Sequence, residues 1–243
     1  MEEIAKFGLI GKNISYSFSK KYFEQKFNKL LLSNYSYDIF DVDEIEKVEQ
    51  IFETPDLKGL NVTIPYKEKI IPYLDELSQE AQKVGAVNTI LIKNGKKIGY
   101  NTDTFGFQKT LEIHRTEGQN TALVLGKGGA AKAVCYVLDN LGITHQTVAR
   151  NSDLDFENLT EEVVRQHSLV IQCTPVGTFP NTNDCLHFPF EGLSSQHLVI
   201  DLIYNPVYTQ FIKNAAHRGA KTINGFYMLE QQAEKAWEIW KLA

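Results

Sequence analysis

The sequence predicts an α/β protein of two domains, and three observations carry that prediction. Strand-like and helix-like segments alternate from one end of the 243-residue chain to the other, the pattern of parallel sheets flanked by helices. In the second half the strand-like run Ala122–Leu125 is short and wholly apolar, the kind buried on both faces of a parallel sheet. The segment Arg115–Asn120 is polar, carries a glycine and reads as a linker, although a boundary one helix earlier fits as well.

The elements follow in order. Lys6–Ile10 reads as a strand, and Lys20–Leu32 as a helix whose Phe23, Phe27, Leu30 and Leu31 share one apolar face. Tyr35–Asp41 is a second strand, and Ile45, Val48 and Phe52 mark the buried side of a second helix. Gly59–Pro65 is a third strand, with a helix expected from Tyr66. Ala86–Ile92 and Lys97–Tyr100 flank Asn94-Gly95, a hairpin signal because a type I′ turn needs positive φ at both central residues. Beyond Ala122–Leu125, strands are expected at Gln146–Arg150, Leu169–Thr174 and Leu198–Ile203. Helices are expected from the glycine-rich turn to Leu141, then at Leu159–Gln166, Val207–His217 and Tyr227–Lys241.

Composition excludes several classes of function. Hydrophobic residues at 43% and charged residues at 23% describe an ordinary globular chain rather than a disordered one. A net charge of −5 offers no electrostatic attraction to nucleic acid or anionic lipid. No apolar run approaches the roughly 18–20 residues of a membrane helix. The N-terminal MEEIAKFGLIG is acidic and enters a strand at once, so no signal peptide is expected. Cys135, Cys173 and Cys185 cannot all pair and show no CxxC spacing, which suits reduced thiols in the cytoplasm. The six histidines show no HxxxH or HExxH spacing, so no metal is expected.

Two sets of residues carry chemistry. Gly126, Gly128 and Ala131 stand at the G-x-G-x-x-A spacing of a dinucleotide-binding turn, after a buried strand and at a helix start. The first glycine allows the tight turn, the second lets the backbone approach a pyrophosphate, and the alanine lets helix pack on strand. The pyrophosphate would meet the N–H groups and positive end of the helix dipole. This makes the second domain a doubly wound, Rossmann-like sheet. The strand about 24 positions on ends in Arg150 rather than an acid, which favours NADP over NAD. Asp153 and Asp155 would weaken a positive pocket if they turned inward. In the first half, Ser17 and Ser19, Asn61–Lys67, Asn88 and Asn101–Asp103 place hydroxyl, amide, ammonium and carboxylate groups at strand ends. That set suits a polyhydroxylated, anionic small molecule.

These motifs resemble the shikimate dehydrogenase family, NADP-linked enzymes of aromatic amino-acid biosynthesis. SFS, NVTIPYK, GAVNT, NTD, GKGGAA, TPVG, DLIYNP and GFYMLEQQA occur in the family's order over nearly the whole chain. The resemblance implies that Ser17 and Ser19 hold the substrate carboxylate. Thr63, Asn88, Asp103 and Gln232 would bind ring hydroxyls, with Asn61 in support and Tyr204 closing the pocket. Lys67 and Asp103 would be the catalytic pair. Cofactor contacts would come from Gly126, Lys127, Gly128, Gly129, Ala130, Ala131, Arg150, Thr174, Leu202 and Gly225. It also implies a substrate-binding domain over 1–103, with helix 227–243 packing back on it, and an NADP-binding domain over 104–226. The expected reaction is reversible reduction of 3-dehydroshikimate to shikimate by a monomer or homodimer, with no nucleic-acid or membrane partner. Two alternatives stand beside it: an NAD-using quinate/shikimate dehydrogenase, and a noncatalytic ligand sensor on the same fold. Intact Lys67 and Asp103 argue against the sensor. Three departures from the family pattern are visible. Lys20 replaces a usual proline, the strand end reads ARNS rather than NRT with no basic residues following, and 151–169 is short by a helix and a strand. They leave the strictness of NADP over NAD open.

Overall fold

The computed structural model describes residues 4–15 and 17–243. Their contacts divide the chain into two units, Met1–Thr102 with Ala233–Ala243, and Asp103–Gln232. The first unit contains β1 (Ala5–Gly11), α1 (Phe18–Lys29), β2 (Tyr35–Asp41), α2 (Val48–Phe52), β3 (Leu57–Val62), β4 (Glu76–Leu77), α3 (Gln79–Val84), β5 (Thr89–Lys93) and β6 (Lys96–Tyr100). Its sheet has the order β2-β1-β3-β5-β6-β4. β1 runs parallel to β2 and β3, whereas β5 is antiparallel to both β3 and β6. The hairpin turn has φ of 52° at Asn94 and 77° at Gly95, the left-handed pair a type I′ turn demands.

Two expectations for this unit are corrected. The first helix stops at Lys29 rather than Leu32, and Leu30 and Leu31 are exposed. Leu31 turns left-handed at φ 59°, Leu31 N–H donates to Asn28 O, and Leu32 N–H reaches back to Phe27 O at 2.9 Å. That closure satisfies the last carbonyls and sends Leu32, instead of Leu31, onto the core. The helix expected from Tyr66 is a single turn, closed by Ile70 N–H to Tyr66 O at 2.9 Å, followed by a short 3-10 turn at Ile71–Tyr73. Pro72 lacks the N–H that would extend it.

One face of this sheet closes with the end of α8 (Phe226–Trp240), whose residues from Ala233 belong to the first unit. Phe7 and Phe23 lie 4.8 and 5.0 Å from the Trp240 ring, and the Trp240 indole N–H donates to Ile90 O at 2.9 Å. The sheet must lack a side chain below that indole: a Cβ at Gly59 would sit 2.2 Å from Trp240 Nε1.

The second unit contains α4 (Asp103–His114), β7 (Thr121–Leu125), α5 (Gly129–Asn140), β8 (Thr144–Val148), α6 (Glu161–Arg165), β9 (Leu169–Gln172), β10 (Leu198–Asp201), α7 (Gln210–His217), β11 (Lys221–Asn224) and the first turns of α8. All five strands are parallel, in the order β11-β10-β9-β7-β8. Alternation along β7 divides the core. Ala122 and Val124 pack with Phe107, Leu111, Val134 and Leu138 from α4 and α5, while Leu123 and Leu125 pack with Val164 and Phe211 from α6 and α7. Helices thus cover both faces, and winding reverses between β7 and β9. The segment joining β8 to β9 holds α6 and no strand, which makes β8 an edge. Arg115–Asn120 connects α4 to β7 inside this unit. Strands end earlier than expected: β8 stops at Val148, so Arg150 lies in the following turn. The seventh helix begins at Gln210, because Thr209 caps it by accepting from Ile212 N–H at 3.1 Å.

Candidate active site

In the first unit, Ser17 is the N-cap of α1 and its Oγ accepts from Ser19 N–H at 3.3 Å. The helix cap therefore coincides with the two serines expected to meet a carboxylate. Both serine side chains sit at the positive end of a three-turn helix, where an anion is favoured. Ser19 also hydrogen-bonds the Tyr37 phenol, whose pKa is pushed well above its ordinary range by burial. Tyr37 donates to Asn61 Oδ1 at 2.8 Å. Asn61 in turn donates to Asn88 O at 3.3 Å and to Thr89 Oγ1 at 3.2 Å.

Asn88 is the centre of this polar layer. Its Oδ1 accepts from Thr102 N–H at 2.7 Å and its Nδ2 donates to Thr102 Oγ1 at 3.0 Å. Asn101 donates to Ala86 O at 2.9 Å. Buried amides are tolerated here because their polar atoms have partners. The consequence is a fixed backbone at Thr102, one residue before Asp103. Thr63 follows β3 with its N–H on Ile10 O at 2.9 Å, and the half-buried Lys67 is held through its carbonyl, which accepts from Val87 N–H at 2.7 Å. Tyr37 and Thr89 escaped the sequence reading. An aromatic at alternating spacing in a strand looks like core, and nothing local marks its hydroxyl.

In the second unit, Asp103 opens α4 and is buried. One turn on, a Cβ at Gly106 would lie 2.5 Å from Met228 O and 3.2 Å from Gln232 Cβ. The helices bearing Asp103 and Gln232 therefore cross at backbone contact. Gln232 Nε2 donates to Leu229 O at 3.0 Å.

The glycine turn sits where β7 and β9 diverge, the switch point at which doubly wound sheets bind ligands. Gly126 has φ 117°, its N–H donates to Val148 O at 2.8 Å, and a Cβ there would press on Thr174 Cγ2 at 3.1 Å. Gly128 caps α5 with ordinary extended φ of −79°, and a Cβ there would meet nothing within 4 Å. Its missing side chain is not required by the protein's own packing, which fits a backbone kept bare for a dinucleotide. Ala131 is buried against the sheet, while Gly129 and Ala130 begin the helix. Lys127 Nζ donates to Arg150 O at 2.9 Å.

Opposite this turn, Gln172 braces Thr174: its Oε1 accepts Thr174 N–H at 2.5 Å and its Nε2 donates to Val176 O at 3.2 Å. Gln172 is absent from the sequence reading, although a polar residue ending the apolar run LVIQ is the available signal. Asp201 ends β10, accepting from Ile203 N–H at 3.0 Å and Thr209 Oγ1 at 2.6 Å, and burial raises its carboxyl to about 6. These bonds hold the loop carrying Leu202 and Tyr204. Gly225 follows β11 where a Cβ would overlap Leu202 O at 2.0 Å. Among the described residues no group of three or more potential metal ligands occurs, and no helix is long and apolar enough to cross a membrane.

The Arg150 guanidinium is exposed and has no hydrogen bond or ion pair among the described residues. Arg150→Ala should weaken NADP by about 10–100-fold, the worth of one charge-assisted contact, and spare NAD. Titrating both cofactors checks this, and equal losses would remove Arg150 from the 2′-phosphate.

Comparison with known proteins gives a consistent result. The family model of the shikimate dehydrogenase substrate binding domain matches residues 9–90. The shikimate dehydrogenase (NADP(+)) of Methanosphaera stadtmanae is 37% identical over 255 residues, spanning 96% of this chain and 89% of that protein. The crystal structure of shikimate dehydrogenase 1 from Peptoclostridium difficile superposes with a TM-score of 0.87 at 33% identity, covering 99% of this chain and 92% of that one. The shikimate 5-dehydrogenase of Thermus thermophilus, in complex with NADP(H) and shikimate, gives 0.86 at 29% identity, covering 99% and 94%. With such identity sustained from end to end, this chain belongs to the shikimate dehydrogenase family.

Proposed function

We propose that the chain catalyses the reversible, NADP-linked reduction of 3-dehydroshikimate to shikimate. The observation that carries this is family membership along 96% of the sequence, with Lys67, Asp103 and the glycine turn all in place. In this reading the first unit binds substrate and the second binds cofactor. Bound NADPH supplies the hydride. Lys67 donates to the ketone oxygen as charge develops there and delivers its proton to form the alcohol; in reverse it receives that proton. Asp103 accepts a hydrogen bond from the alcohol and orients it. Ser17 and Ser19 hold the carboxylate, while Thr63, Asn88 and Gln232 bind the ring hydroxyls. Asn61 holds Asn88's segment, and Tyr204 closes over the ring. The enzyme works in the cytoplasm, which suits its three free cysteines, as a monomer or homodimer.

The test is nicotinamide absorbance with shikimate or quinate against NADP or NAD. Turnover should be fastest with shikimate and NADP. Turnover only with quinate and NAD would replace this reading with the quinate/shikimate alternative, and binding without turnover would favour a sensor.

A further inference from the structure

We infer that Lys127, in the glycine turn, is a specificity-determining residue that reads the 2′-phosphate of NADP together with Arg150; the inference rests on the cofactor reading above. The argument begins with charge. A phosphomonoester carries about −1.5 to −2 at neutral pH. One guanidinium cannot balance that, and the segment after Arg150 offers no second cation before Arg165. The chain as a whole is acidic, at −5. Sequence alone therefore leaves the phosphate under-neutralised.

The sheet supplies what the segment lacks. β7 and β8 are parallel neighbours, with Leu125 beside Val148, so the residues following each strand emerge together. Gly126 N–H is tied to Val148 O, and one residue further Lys127 extends its ammonium to Arg150 O at 2.9 Å. The ammonium thus sits on the backbone of the very residue whose guanidinium is expected to meet the phosphate. It has three N–H donors and uses one on that carbonyl, leaving two for an anion.

The acids nearby do not cancel this charge. The turn folds back through Ala149 N–H to Leu154 O at 3.2 Å, with Asn151 left-handed at φ 58°. Asp155 Oδ1 is occupied by the N–H groups of Glu157 and Asn158 at 2.9 and 3.0 Å. Asp153 is exposed, where solvent and salt screen it. Because β8 is the sheet edge, no further strand of this unit covers that corner. A ribose phosphate lying there would meet Lys127 and Arg150 as its two cations.

The experiment measures dissociation constants of the intact enzyme for NADP and NAD, and for 2′,5′-ADP against 5′-ADP, across a salt series. Lys127→Met should weaken NADP and 2′,5′-ADP by about 5–30-fold, the span expected for a solvent-exposed charge-assisted contact. NAD and 5′-ADP should change less than about twofold. The fall of NADP affinity with salt should become shallower, and Lys127→Arg should restore most of the discrimination. Equal losses for both cofactors, or none, overturn the inference, and so does an NADP loss from Lys127→Met that disappears in an Arg150→Ala background, the mark of a lysine that only braces the Arg150 carbonyl. If Lys127→Met fails to fold, Lys127→Gln with the two ADP probes decides the same point. A parent enzyme with no preference for NADP would instead bring down the cofactor reading beneath it.

Discussion

Replacing Lys67 with alanine should lower turnover about 10²–10⁴-fold, the usual size of a general acid–base contribution. Proton and hydride must move at one carbon–oxygen bond, and no histidine motif offers a substitute base. The backbone should tolerate the change, because Lys67 is anchored through its carbonyl to Val87 N–H rather than through its ammonium alone. NADP affinity should be nearly unchanged, and substrate affinity should change modestly while Ser17, Ser19, Thr63, Asn88 and Gln232 remain. Lys67→Met keeps the length and removes the charge, separating chemistry from packing. Steady-state kinetics across pH checks both variants. Wild-type turnover in either would pass the proton-transfer role to Asp103.

Gly128→Val should abolish cofactor binding in a chain that still folds. The position has φ −79° and ψ −176°, which any residue adopts, and open space beyond its Cα. The only folding cost is the poorer helix cap, about 1 kcal/mol. The neighbouring glycines behave differently. Gly126 is left-handed at φ 117°, and a Cβ at Gly225 would overlap Leu202 O, so valine there should damage the fold itself. Circular dichroism with cofactor titration distinguishes the cases. Normal NADP affinity in folded Gly128→Val would mean that this turn does not hold the pyrophosphate.

Much of the architecture was legible because the deciding physics is local. β7, β9 and β10 read as strands since both faces are covered, which makes Ala122–Leu125, Leu169–Ile171 and Leu198–Ile200 apolar throughout. Asn94-Gly95 announced its turn through backbone conformation alone. The glycine turn was legible because its backbone conformation calls for glycine, with Gly126 at φ 117°. Local signals failed where tertiary partners decide. The single turn at Tyr66–Ile70 resembled a helix until Pro72 intervened, and Leu31 looked buried because its helix was expected to continue. Asn88 stood out as polar within an apolar run, but its pairing with Thr102 depends on the β5–β6 hairpin. Lys127 and Arg150 are distant in sequence, and only the parallel register of β7 with β8 brings them together.

The aromatic core around Trp240 also sets an order of events during synthesis. Phe7, Phe23 and Gly59 leave the ribosome early, yet the ring that completes their packing arrives near the end of the chain. About 130 residues, 103–232, intervene, which at ~5–20 residues per second means a wait of roughly 6–26 s. The second unit is one uninterrupted stretch and has all its residues before the first receives Ala236, Trp237 and Trp240. The half made first is the last to complete its packing: Phe7 and Phe23 can meet Phe27, Tyr35 and Tyr37 early, but the side that faces Trp240 waits for the end of the helix.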